Sequence, residues 1–81
     1  MNKEFKDNYG NVVTIGSSVF YNLSGDVVRG KVVDILPKFV KIELTFPQQY
    51  NHWDWSSPFR GLERGHISKV RNRKSISLEK T

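Results

Sequence analysis

Residues 27–44 read VVRGKVVDILPKFVKIEL. Two runs rich in β-branched residues flank a Pro37-Lys38 turn, and neither has the apolar spacing of a helix. The second run, FVKIEL, alternates cleanly. Val40, Ile42 and Leu44 share one face, while Lys41 and Glu43 point the other way, the pattern of a half-buried strand. The first run extends from Val27 to Leu36 and is interrupted by Gly30. A lone glycine inside a strand predicts a bulge or a sharp bend. Two such strands leave one apolar face to be covered, and Val19, Val32, Ile35, Val40 and Ile42 are the expected core.

Working outward, the same strand-and-turn alternation continues. Upstream, Asp7-Asn8-Tyr9-Gly10-Asn11 is a turn followed by Val12–Ile15, and Gly16-Ser17-Ser18 leads into Val19–Asn22. The turn Ser24-Gly25-Asp26 then opens the long strand. Downstream, Ser57-Pro58 suits the start of a short helical turn that Gly61 and Gly65 would end. His66–Val70 reads as a last short strand, with Ile67 out of phase with Val70. Residues 71–81 lack a core pattern. Ile76 and Leu78 alternate with serines, which is compatible with an edge strand, but the segment is expected to be a flexible tail. Four or five short antiparallel strands are too few for a sandwich, so the expectation is an all-β, small, strongly bent barrel. It would occupy residues 1–70 as one domain, with 45–61 as a long inserted loop and 71–81 as a basic tail.

These residues resemble a known pattern. Val13-x-Ile15-Gly16-x-Ser18-Val19-x-Tyr21, Ser24-Gly25-Asp26, Gly30-x-Val32-x-x-Ile35 and Val40-x-Ile42-Glu43 are similar to SH3-like barrels of the KOW/Tudor type. The likeness covers residues 12–44, with HISKV where a closing strand would lie. Ser17-Ser18 stands where that pattern commonly has Gly-Asp, and the 45–61 insertion is absent from small KOW modules. The resemblance implies contacts with RNA or polymerase, or recognition of modified side chains by an aromatic cage. Small barrels of this appearance also look like bacteriophage accessory proteins, which act as adaptors or inhibitors of host enzymes.

Composition narrows the classes. The chain has 81 residues and no cysteine, which excludes disulfide frameworks and thiolate metal sites. No apolar run approaches the length of a membrane helix, and the N-terminal segment has no stretch suited to a secretion signal. A cytoplasmic protein without membrane contact is expected, in the host cell if the chain is phage-encoded. His52, Asp54 and His66 do not form a known ligand spacing, and no serine sits in a nucleophile elbow. No catalytic residue, metal or cofactor is therefore expected, and the class is a binding module rather than an enzyme.

Two features point to what is bound. Residues 45–61, TFPQQYNHWDWSSPFRG, hold both tryptophans with Phe46, Tyr50 and Phe59 in a polar, turn-rich context. The net charge of +5 lies wholly from residue 60 onward, in Arg60, Arg64, Lys69, Arg71, Arg73, Lys74 and Lys80 against Glu63 and Glu79. Rings beside cations suit stacking on unpaired bases with phosphates held nearby. They equally suit hot spots against an acidic protein face. A third use, an aromatic cage from Tyr21, Trp53 or Trp55, needs rings converging on one point. Against all of these stands the plain reading that the loop covers an open barrel end and the tail is merely solvated. The candidate binding set is Tyr50, His52, Trp53, Trp55, Arg60, Arg64, Lys69, Arg71, Arg73 and Lys74. The expected partner is RNA or DNA, or an acidic face of a larger intracellular protein, with the oligomeric state open.

Overall fold

The structure, a computed structural model, describes residues 3–23 and 25–79. It is all-β, with seven strands and one short 3-10 turn among these residues. The strands are β1 (Glu4–Lys6), β2 (Val12–Thr14), β3 (Ser18–Leu23), β4 (Asp26–Ile35), β5 (Val40–Leu44), β6 (Ile67–Val70) and β7 (Ile76–Leu78). The turn at Arg73–Ser75 precedes β7. β1 and β2 form a hairpin, and the other five make an antiparallel sheet in the order β6-β5-β4-β3-β7.

The stretch at 27–44 folds as its pattern predicts. Val40, Ile42 and Leu44 are buried on one face of β5, and Lys41 and Glu43 face outward. All five expected core residues are buried. β4 changes partners along its length: Asp26–Lys31 pair with β3, and Gly30–Ile35 pair with β5. Gly30 sits where the two ladders overlap, between Val19 and Leu44. Its reason is close approach rather than a bulge. A β-carbon there would lie 2.4 Å from Ile42 Cγ2 and 3.1 Å from the Glu43 carbonyl oxygen. The bulge falls three residues later, where the register slips between Val32 and Asp34.

The expected closed barrel is not formed. β6 and β7 are opposite edges of an open sheet. The sheet is nonetheless strongly curled, as chain geometry requires. Val70 lies in the cross-strand row of Val40 and Ile35, and Ile76 in the row of Tyr21 and Val28. On a flat sheet these two points would be about 30 Å apart, counting four strand spacings and seven residues of β4. The five residues between Val70 and Ile76, six Cα steps, reach about 20 Å at full extension. The concave face encloses one cluster of Val19, Val28, Val32, Ile35, Val40, Ile42, Leu44, Val70 and Ile76, covered by Phe5 and Val13 of the hairpin and by Phe59.

Two other expectations change. The N-terminal strand β1 was not legible, yet Phe5 pairs opposite Val13 and is buried with it. The segment 71–81, expected as a flexible tail, carries β7, and Ile76 is fully buried. Lys80 and Thr81 lie outside the described residues.

Asp7 joins these two late-found pieces. Only 7% exposed, its carboxylate accepts from the backbone N–H of Tyr9 (2.9 Å) and of Asn11 (2.8 Å) and from Asn11 Nδ2 (3.2 Å). It also accepts from the Leu78 N–H at 2.9 Å, across 71 positions of sequence. The Leu78 bond foremost, then those from Asn11 and Tyr9, outweigh burial and lower the Asp7 carboxyl from an ordinary 3.8 to about 2. Because the unfolded chain takes up this proton more readily, the Asp7 contribution is complete above about pH 5 and is lost as pH falls toward about 2. Asp7→Asn should lower stability at neutral pH and flatten the stability–pH curve between about pH 2 and 5. Urea denaturation across that range checks it, and an unchanged acid limb in the variant would refute the role given to Asp7.

Candidate functional site

The polar residues of 45–61 are turn builders. Asn51 Oδ1 accepts from the Trp53 N–H (3.0 Å), and the Asp54 N–H donates to the Asn51 carbonyl (2.9 Å). Asp54 Oδ1 accepts from Ser56 Oγ (2.7 Å) and from the Ser56 N–H (3.0 Å), which hold its carboxyl below the ordinary carboxylate range. Ser57 Oγ accepts from the Phe59 N–H (3.1 Å), and the Gly61 N–H donates to the His52 carbonyl (2.8 Å), tying the loop shut. The result is consecutive turns; at Ser57-Pro58 the expected cap forms and the Arg60 N–H donates to the Ser57 carbonyl (3.2 Å), one turn that does not continue into a helix. Such side-chain-to-backbone bonds give a loop definite form without regular structure.

That form sorts the aromatics. Phe46, Tyr50 and Phe59 point inward, with ring centroids of 4.5 Å (Phe46–Tyr50) and 4.6 Å (Phe46–Phe59). Phe59 is buried, and the Tyr50 hydroxyl donates to the Phe59 carbonyl at 2.9 Å. Trp53 and Trp55 point outward, 69% and 73% exposed. His52 lies against Trp53 at 4.6 Å. The loop therefore covers the core with phenylalanine and tyrosine and displays its tryptophans. Tyr50, named among the binding candidates, belongs to the anchor. Tyr21 packs against the core, and no ring pair joins it to either tryptophan among the described residues, so no cage is assembled.

The basic candidates divide as well. Arg64 donates to the carbonyls of Gln48 (3.1 Å) and Tyr50 (3.4 Å) and stacks over the Tyr50 ring, clamping the loop base. Arg73 donates to the Leu36 and Pro37 carbonyls and lies 5.6 Å over the Phe5 ring, stitching the β4–β5 turn to the hairpin. Both are structural. Arg60, Lys69, Arg71 and Lys74 are exposed, and none joins an ion pair among the described residues. Arg60 is in the tryptophan loop, next to the Gly61–His52 tie. Lys69 is on edge strand β6, with Arg71 just beyond it. Lys74 leads into the opposite edge, where it lines a shallow cleft with Phe20, Asn22 and Val27. Within KVRNRK, Arg73 is thus engaged by carbonyls while Lys69, Arg71 and Lys74 remain exposed.

What remains together is His52, Trp53, Trp55 and Arg60 on one tied loop, which presents flat rings beside a cation. Among the described residues no cluster of three or more His, Asp or Glu side chains is placed to hold a metal, and no helix is long and apolar enough to cross a membrane. Phe59→Ala should cost about 3 kcal/mol by opening the loop anchor. Trp55→Ala should stay within about 0.5 kcal/mol of the parent. Chemical denaturation of both variants checks the sorting, and equal losses would contradict it. Comparison with known proteins finds no match among family models, curated proteins or solved structures.

Proposed function

We propose that the chain is a non-enzymatic binding module of SH3-like, KOW/Tudor type that takes single-stranded RNA or DNA on its tryptophan loop. The fold half of the reading is supported by strand order. A β3–β4–β5–β6 meander with a final strand laid back on its first strand suits a strongly bent small barrel, with Ile76–Leu78 rather than HISKV in the closing position and the sheet left open.

The observation that carries the binding half is the outward display of Trp53 and Trp55 on a loop already anchored by three other rings. Leaving two indoles in water forfeits burial that a small core could use, and the display is accounted for if a partner covers them. Stacking on an unpaired base is worth about 1–3 kcal/mol and accepts any base. Arg60 supplies a phosphate contact beside the rings, and Lys69 and Arg71 extend positive charge past the sheet edge.

Fluorescence titration with single-stranded oligonucleotides of RNA and DNA at about 50 and 200 mM salt tests the reading. Binding should weaken with a slope of about 0.7 per phosphate contact in logarithmic terms. Trp53→Ala and Trp55→Ala should each cost about 1–3 kcal/mol of affinity. Arg60→Ala should flatten the slope, whereas Arg73→Ala should lower stability and leave the slope as it is. Absence of binding at the lower salt would overturn the proposal.

A further inference from the structure

The two edges of the five-stranded sheet are finished differently. At β7 the outward N–H groups are occupied: that of Leu78 donates to Asp7 Oδ2, and that of Ile76 to the Arg73 carbonyl. At β6 the alternation runs the other way. The Leu44 N–H donates to the His66 carbonyl, so Ser68 and Val70 face β5 and the N–H and C=O of Ile67 and Lys69 face away from the sheet. Among the described residues, none of these four groups has a backbone or side-chain hydrogen-bond partner. An open edge of this kind is a template for another strand.

The side chains of β6 indicate which strand. Lys69 stands directly opposite Lys41 in a non-hydrogen-bonded pair, where side chains approach most closely and like charges oppose folding. The same cross-strand row ends at Asp34, whose carboxylate is already engaged by Lys3 at 3.2 Å. With the neighbouring Lys31–Glu43 pair on the same face, two carboxylates stand against four ammonium groups, and Arg71 follows the strand with no ion pair among the described residues. Ile67, 45% exposed, adds an apolar contact on the same outward face. Pairing of two copies through this edge would set two such basic rows side by side. An acidic strand would neutralise them.

We infer that β6 is a docking edge for an extended acidic peptide segment of a partner protein, which adds as a sixth strand beside Ile67–Val70. Main-chain bonds to Ile67 and Lys69 hold the segment in register. Its Glu or Asp side chains, alternating along the strand, meet Lys69, Lys41 and Arg71, and an apolar residue covers Ile67. This surface is centred on the outward amides of β6 and shares only Lys69 and Arg71 with the positive charge assigned above to phosphates, and the inference stands whether or not the loop takes nucleic acid.

The test uses the full chain as bait for a displayed library of random peptides, about twelve residues long, enough to exceed a typical strand. Lys69→Pro serves as counter-bait. It deletes one outward N–H and keeps the β5–β6 ladder, in which Lys69 does not donate. Lys69→Glu keeps the N–H and reverses the charge. Recovered peptides should be rich in Asp and Glu and bind the parent at least about ten-fold more tightly than either variant. They should also slow hydrogen exchange at Ile67 and Lys69 in the parent. Near-ultraviolet circular dichroism confirms that each variant is folded, and the Lys69→Glu result stands if the proline variant is not. The inference is overturned if no peptide is enriched, if Lys69→Glu binds the recovered peptides as well as the parent does, or if the protected amides lie elsewhere. It is equally overturned if the two amides are protected by self-association of the chain or by an added oligonucleotide instead.

Discussion

One buried carboxylate organises the molecule. Asp7 satisfies the turn that joins β1 to β2 and, with its second oxygen, takes the one N–H of β7 that would otherwise point into solvent. Without that bond the hairpin would be held to the sheet only by the packing of Phe5 and Val13, the Arg73–Phe5 contact and the Lys3–Asp34 pair, and β7 would be a three-residue strand with one free edge. Short isolated pairings of that kind are marginal in water. With it, the two ends of the chain fasten to each other across the curled sheet. Phe5 and Val13 are set over the core from one side, and Ile76 is held in it from the other.

The rest of the structure follows from having a core too small to close itself. Five curled strands leave an end open, and the 45–61 loop fills it with Phe46, Tyr50 and Phe59. Consecutive Asx and serine turns give that loop a fixed shape, so the anchor and the display face of the same loop are settled together. Arg64 and Arg73 complete the closure by bonding carbonyls that the loop and the β4–β5 turn leave exposed. Two of the six basic candidates are thereby committed to structure, and those left for a partner lie in the loop, on β6 and just beyond it, and before β7.

The strands between Val12 and Leu44 were legible because alternation and turn residues agree there, and FVKIEL fixes its own inward face. Gly30 was legible as special but not for its cause, since close approach of Ile42 depends on register and not on local pattern. β1 and β7 were hidden for a common reason. Each is three residues long, and each is stabilised by a residue far away in sequence. A short run such as Ile76-Ser77-Leu78 looks the same whether or not an Asp7 waits to receive its N–H. At the site, the clustering of rings was readable but their sorting was not. The letters do not say which three rings turn inward and which two turn outward, and only the turns at Asn51, Asp54 and Ser57 decide it. The spacing of Arg73 and Lys74 also concealed that one side chain is committed to structure and its neighbour is not.

The contrast between a closed edge and an open one is the central claim, and native-state hydrogen exchange reads it directly in the free protein. The Leu78 amide, bonded to the Asp7 carboxylate, should exchange as slowly as the amides shared between β3 and β4, while the Ile67 and Lys69 amides should exchange at rates near those of a solvated chain. Fast exchange at Leu78, or slow exchange at Ile67 and Lys69 in the monomer, would contradict the account.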